Sequence, residues 1–262
     1  MKLKIPIFQV DAFTSKVFSG NPAAVCPMQA WPSAKVMQQI AAENNLSETA
    51  FIVGGKGKFR IRWFTPEAEV DLCGHATLAA AYVVLNHMDK ERKSVKFLSD
   101  KSGVLGVSRV EDMLAMDFPS LPAKPCHPPE LLLRALGKAP IATLEERDYL
   151  VVYETEAQVR ALKPNLAALK KLDKQGVVVT AKGDVADFVS RYFAPKVGVP
   201  EDPVTGSTHC TLVPFWAPLL GKTRLTAQQV SRRGGDLMCM AKGKRVYIAG
   251  RAVLYMRGAV EV

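Results

Sequence analysis

The amino-acid sequence predicts an α+β protein of two similar, pseudo-symmetric halves, each a mostly antiparallel sheet curled around one buried central helix. Three observations carry this. First, the segment Phe59–Pro66 (FRIRWFTP) returns 129 residues later as Phe188–Pro195 (FVSRYFAP), aligning Arg62 with Arg191, Phe64 with Phe193 and Pro66 with Pro195. Second, each copy is followed by a short acidic loop, a glycine and an apolar run: Asp71-Leu-Cys-Gly74-His75 and Asp202-Pro-Val-Thr-Gly206-Ser207. An aromatic and β-branched run ended by proline reads as a strand, and the apolar run after the glycine reads as a helix. Third, most neighbouring strands are joined by connections too short for crossovers, which favours antiparallel pairing.

Taken in order, Ile5–Ala12 reads as a strand, and residues 33–44 as a helix capped by Ser33. Strands follow at Ala50–Val53 and in the first copy of the echo. The helix from His75 to about Leu85 is apolar on every face, so it is buried all round. Gly103–Val110 is a strand, Pro128–Leu136 a short helix, and Leu150–Tyr153 and Gly176–Thr180 are strands. The second helix, Ser207 to about Leu220, carries Pro214 in its interior. A missing donor and a ring clash there cost on the order of 3 kcal/mol, which predicts a kink or break. Leu225–Gln229 reads as a short helix, and Arg245–Ala249 and Ala252–Tyr255 as strands. The duplication divides the chain into domains at 1–115 and 116–262, with the last strand able to return to the first domain.

Composition narrows the function. With 262 residues, 48% apolar and 23% charged, the chain is of ordinary globular type. No run reaches the roughly 18 apolar residues of a membrane span, and the start lacks an apolar signal region, so a cytoplasmic protein without membrane contact is expected. Five scattered cysteines without a CxxC pair read as reduced thiols. The net charge of +10 could attract nucleic acid, an anionic membrane surface or an acidic small molecule, or be a solvated basic surface; it is spread over short clusters with no aromatic-interleaved stripe, so nucleic acid is not expected. No phosphate loop or metal-ligand spacing appears, so no metal, nucleotide or organic cofactor is expected.

Two buried helix starts have a chemical consequence. Each leaves unpaired N–H groups and about half a positive charge, and an anion is the simplest partner. Gly74 and Gly206 let backbone approach a ligand closely. If the halves are related by a pseudo-twofold, both starts face one cleft and hold a substrate carboxylate or an enolate.

At these residues the sequence resembles the phenazine-biosynthesis PhzF-like family, which shares the diaminopimelate epimerase fold. The matching segments are Asp11-Ala-Phe-Thr with Phe18-Ser-Gly-Asn-Pro22, Asn45-Leu-Ser-Glu-Thr-Ala-Phe51, Asp71-Leu-Cys-Gly-His-Ala-Thr77, Asp202-Pro-Val-Thr-Gly-Ser-Thr-His-Cys210 and Arg233-Gly-Gly235, in family order across nearly the whole chain. The resemblance implies two domains with the active site between them, a homodimer, and a cofactor-independent isomerase acting on a small carboxylate. It places the catalytic glutamate on Glu48, with His75, Asp202 and Ser207 as catalytic partners that position substrate, and substrate contacts at Asn21, Ser47, Gly74, Thr205 and Gly206. Burial of Glu48 among Leu46, Ala50 and Phe51 would raise its basicity, as abstraction from carbon requires. His75, at a helix start, is expected to be disfavoured as a cation. In the amino-acid epimerases of this fold two cysteines face each other across the substrate carbon; here those positions hold Cys73 and Thr205, which argues against a two-thiol racemase. An epimerase using Glu48 with another acid, and a non-catalytic anion-binding or assembly protein, are the alternatives.

Overall fold

A computed structural model describes residues 3–262, which fall into two compact units: the described residues through Asp117 together with Ala249–Val262, and Phe118–Ile248. The first unit runs β1 (Lys4–Ala12), β2 (Asn21–Met28), α1 (Ala34–Asn44), β3 (Glu48–Gly55), β4 (Lys58–Phe64), β5 (Glu69–Val70), α2 (Gly74–Val83), a π-helical turn (Val84–Met88), β6 (Ser94–Ser99), β7 (Gly103–Val110) and β8 (Met113–Pro119), along which the chain leaves the unit. The second runs β9 (Lys124–Pro125), α3 (Glu130–Leu136), β10 (Ala142–Glu145), β11 (Tyr149–Val152), α4 (Glu156–Ala161), α5 (Leu166–Leu169), β12 (Val177–Lys182), β13 (Phe188–Ala194), a 3-10 turn (Pro195–Val197), β14 (Val199–Asp202), α6 (His209–Leu220), β15 (Arg224–Gln229), β16 (Gly235–Lys242) and β17 (Arg245–Gly250). The last strand, β18 (Ala252–Glu261), belongs to the first unit.

In the first unit β1 lies between β18 and β2, antiparallel to both; β2 and β3 run parallel, and β3 and β4 antiparallel. Both faces of this sheet are covered. Ile5, Ile7, Ala24, Cys26, Phe51 and Phe64 pack with Met37, Ile40 and Ala41 of α1. The alternate residues Ala23, Val25, Ala50 and Ile52 are equally buried, and α2 packs on β1, β2 and β3. Helix α2 is buried along almost its whole length, as its all-round apolar sequence requires. Helix α1 begins as read, with the Ser33 hydroxyl accepting the Val36 N–H and Asn45 closing it in the left-handed conformation.

In the second unit β11–β12 and β13–β15 are parallel, while β10–β11, β12–β13 and β15–β16 are antiparallel. Helix α6 packs on β15 and β16. Its Trp216 donates to the Thr180 hydroxyl at 3.0 Å and stacks on Phe188. Leu132, Leu136, Val159 and Leu169, from α3, α4 and α5, cover Val151, Val177, Val179 and Phe193. Of this second helical layer the sequence reading contained α3, expected at Pro128–Leu136, but not α4 or α5.

Three expectations are corrected. Residues 225–229 form strand β15, not a helix; Leu225, Ala227 and Gln229 point inward by strand alternation, and pairing with β16 decides the conformation. The second central helix starts at His209 rather than Ser207, because His209 and Cys210 bond back three residues to Gly206 and Ser207 in a tighter lead-in turn. It also runs unbroken through Pro214 and Pro218. The Cys210 carbonyl, which Pro214 cannot serve, accepts the Leu121 N–H at 2.9 Å, so the absent helical donor leaves no orphaned acceptor there. Among the described residues no helix is long and apolar enough to cross a membrane.

Candidate active site

Parallel pairing of β2 and β3 brings the starts of both strands side by side, with Ala23 opposite Glu48. Asn21 opens β2 and Glu48 opens β3, and the first turn of α2 carries Gly74 and His75 to the same place. The buried His75 ring joins them: Nε2 lies 3.0 Å from Glu48 Oε2, and Nδ1 lies 3.1 Å from Asn21 Nδ2. Cys73, the residue before α2, sets its sulfur 3.5 Å from Nδ1. The Nε2 approach to Glu48 is close but not in line, so Oε2, itself wholly buried, has no well-aligned donor. Ser47 is half-buried immediately before Glu48.

Electrostatics correct one expectation. Burial works against a charged His75 ring, but the Cys73 sulfur and the Glu48 carboxylate outweigh it, and the ring's affinity for a proton lies well above the ordinary histidine range. Burial pushes the Cys73 thiol up to about 11, with Glu48 adding to the shift, so at neutral pH the thiol keeps its proton and the carboxylate is the partner that matters. The helix start that argued against an imidazolium is overruled by an anion at contact distance. The Glu48–His75 pair is therefore a buried acid–base couple.

The second group of sequence-predicted residues lies in the second unit. The Thr205 hydroxyl donates to the Asp202 carboxylate, and Thr208 Oγ1 donates to the Thr205 carbonyl at 2.8 Å. Two residues that the sequence reading missed hold this loop. Gln229, buried on β15, accepts the Thr205 N–H at 2.8 Å and donates to the Asp202 carbonyl at 2.7 Å and to Thr205 Oγ1 at 3.1 Å. Arg147 donates to Ser207 Oγ at 3.3 Å while Asp148 Oδ2 holds its Nε and Nη2. Gly206 and Ser207 sit in the turn leading into α6. Asn21, Glu48, Gly74 and His75 thus form one local group, and Asp202, Thr205, Gly206 and Ser207 another. Among the described residues Glu48, Cys73 and His75 are also the only trio of acidic, thiol and imidazole groups whose polar atoms all lie within 4.8 Å of one another.

Two stability predictions follow from this construction. Gly20, just before Asn21, has φ +66°, and an added Cβ would stand 2.2 Å from the Ala12 carbonyl oxygen. Gly20→Ala is expected to lower the unfolding free energy by at least about 1–3 kcal/mol in urea denaturation. A cost near zero would mean that the turn can open.

His209 is fully buried; its Nδ1 lies 2.9 Å from the Thr205 carbonyl and its Nε2 has no partner. Burial pushes it down to about 4 from 6.5. The folded state resists a proton that the unfolded chain accepts, so stability is complete above about pH 6.5 and falls as pH drops toward 4, by about 3 kcal/mol in all. His209→Gln, which cannot titrate, should flatten that limb when unfolding is measured across this range. An unchanged limb would place the acid sensitivity elsewhere.

Comparison with known proteins agrees with the motifs. The family described as phenazine biosynthesis-like protein (PhzC-PhzF) matches residues 10–258. An uncharacterized isomerase of Pseudomonas aeruginosa is 53% identical over 260 residues, covering 99% of this chain and 100% of that protein. The crystal structure of a PhzF-family protein from Enterococcus faecalis superimposes with TM-score 0.96 at 45% identity, covering 99% and 100% of the two chains. A hydroxyproline epimerase from Agrobacterium vitis, crystallised with trans-4-hydroxy-L-proline, is similar in fold at TM-score 0.62 and 9% identity, over 100% of this chain and 94% of that one.

Proposed function

Because the chain belongs to the PhzC-PhzF family of phenazine biosynthesis-like proteins, we propose that it is an isomerase that removes a proton from carbon in a small carboxylate substrate and returns it at another position, using its own side chains and no cofactor. One observation carries the reading: the Glu48 carboxylate is held 3.0 Å from the His75 ring, with a buried oxygen to which no donor is aligned. We assign that carboxylate the acceptance of a proton from a bound C–H, through the part of the Glu48 side chain that remains exposed, and the imidazole beside it the taking or return of one. The N–H groups at the start of α2, next to Gly74, suit the carboxylate or the enolate that forms beside it. Asn21 holds the ring, and Ser47 precedes the base on the chain.

Asp202, Thr205, Gly206 and Ser207 are assigned the binding and orienting of substrate, with Asp202 and Ser207 also steadying charge. A proton shift is favoured over stereo-inversion because inversion needs a second acid–base group on the opposite face of the carbon. The Thr205 hydroxyl is spent on the Asp202 carboxylate and on Gln229. Production of isomer rather than enantiomer by the same enzyme would support this choice.

The test is a screen of small cyclic, amino- and hydroxy-substituted carboxylates in D2O, read by NMR for deuterium at carbon. Wild-type protein is expected to label at least one. Asp202→Ala and Ser207→Ala should then raise KM and lower kcat together, since they remove orientation as well as charge stabilisation. Unlabelled ligands that nevertheless bind tightly would favour a non-catalytic anion-binding protein.

A further inference from the structure

We propose that Arg147, in the turn between β10 and β11, is a further specificity-determining residue: with the Ser207 hydroxyl it forms a pair of donors that binds an anionic oxygen of the substrate at the lead-in to α6. A guanidinium has donors only, so where its Nη2 meets Ser207 Oγ at 3.3 Å the serine oxygen must be the acceptor. The Ser207 hydrogen is then directed away from Arg147, toward a third group. Nη1, with two more N–H groups, makes no hydrogen bond to the described residues. A charged nitrogen and a hydroxyl donor side by side, neither given an acceptor by the protein, suit a carboxylate or phosphate oxygen.

Two further observations distinguish Arg147 from an ordinary surface arginine. Its guanidinium is braced by a buried network: Asp148, 9% exposed, meets Nε and Nη2 with Oδ2 at 3.2 and 3.1 Å, and its Oδ1 accepts the buried Tyr192 hydroxyl at 3.2 Å. Tyr192 in turn lies where glycine leaves room for it, since a Cβ on Gly176 would stand 2.5 Å from its ring. The neighbouring Glu146 carboxylate is turned onto the Arg147 backbone N–H. Arg147 nevertheless keeps 43% of its side chain exposed, whereas the cavity lined by Arg147, Asp148, Ser207, Thr208 and Thr211 measures about 10 Å³, room for one water at most. A ligand therefore reaches the guanidinium from the solvent side. An arginine held in place before binding loses less side-chain freedom when it grips an anion. That the anion is the substrate rests on the proposed function; that the pair binds an anion does not.

The experiment is a titration of the full-length protein, labelled with nitrogen-15 and deuterium, with inorganic phosphate at constant ionic strength, followed by amide NMR. In wild type the Ser207 and Thr208 amide signals are expected to move along a saturating curve. Arg147→Met should weaken that binding roughly 10- to 100-fold, the worth of a hydrogen bond from a charged donor. Arg147→Lys should recover only part of it, because an ammonium cannot meet Asp148 and Ser207 with a planar fork. Arg134→Met, which removes an exposed arginine of α3, should change nothing. A wild type whose Ser207 and Thr208 signals stay still, equal affinity in Arg147→Met, or full recovery in Arg147→Lys overturns the proposal. Should Arg147→Met fail to fold, Ser207→Ala must weaken phosphate roughly 3- to 10-fold, and unchanged affinity is equally fatal. The titration uses no substrate, so it can fail while exchange at carbon is observed, and exchange can fail while phosphate binds.

Discussion

Replacing Arg191 with methionine is expected to lower the unfolding free energy by about 2–3 kcal/mol, through loss of the charge-assisted hydrogen bonds of a half-buried guanidinium. The Arg191 side chain is 12% exposed on β13 and forks onto Glu201, with Nε to Oε1 at 2.7 Å and Nη2 to Oε2 at 3.0 Å. Its Nη1 donates to the carbonyls of Leu162 at 2.8 Å and Val159 at 3.1 Å, at the C-terminal end of α4. Those carbonyls are ones that a helix cannot satisfy for itself, and they carry its partial negative charge. Methionine removes the guanidinium, which also lies 4.8 Å over the Phe193 ring, and leaves the Glu201 carboxylate and the helix end without it.

Arg62 occupies the equivalent place in the sequence echo and makes the same fork onto Glu69, at 2.7 and 2.6 Å. There the two side chains are 26% and 31% exposed, and the guanidinium otherwise meets the rings of Trp31 and Phe64. Solvent can replace much of what is lost, so Arg62→Met should cost about 1 kcal/mol or less. Urea unfolding of the two variants checks the contrast. Equal costs would mean that the bonds to the end of α4 contribute nothing, leaving only the fork that the two arginines share.

The parts of the fold that could be read from sequence are those where a single element carries its own signal. Ser33 caps α1 through its own hydroxyl, and α2 is apolar on every side, so burial was the only place for it. Strand β2 escaped the reading because Asn21-Pro22-Ala23-Ala24 has neither β-branched residues nor alternation; it is buried on both faces, which erases the period-two pattern. Residues 225–229 went wrong for the opposite reason: a pair of glutamines resembles a helix until β16 and β13 pair with the segment. The short α4 and α5 have too few turns for a periodic signal.

The candidate site divides in the same way. Glu48, His75, Asp202 and Ser207 were legible only through motifs, because nothing in the spacing between residues 48 and 75 announces a 3.0 Å contact. That contact arises from the parallel β2–β3 pair, a long-range event. Gln229 and Arg147 reach the Asp202–Ser207 loop from 22 or more residues away in sequence, one from a strand read as helix and the other from an acidic turn. Charge at His75 was misjudged because the helix start was visible in sequence and the carboxylate beside the ring was not.

The account turns on Glu48 as the group that takes a proton from carbon. Glutamine keeps its size and most of its hydrogen bonding while removing the base, so Glu48→Gln should fold and bind carboxylate as wild type does. A positioned general base is worth roughly 10²–10⁴-fold, about 3–5 kcal/mol of barrier. The most direct measurement is the rate of solvent deuterium incorporation at carbon into a saturating carboxylate ligand, followed by NMR, for wild type and Glu48→Gln side by side. A fall of that size with ligand affinity unchanged is the predicted result; exchange in Glu48→Gln as fast as in wild type would show that another group is the base.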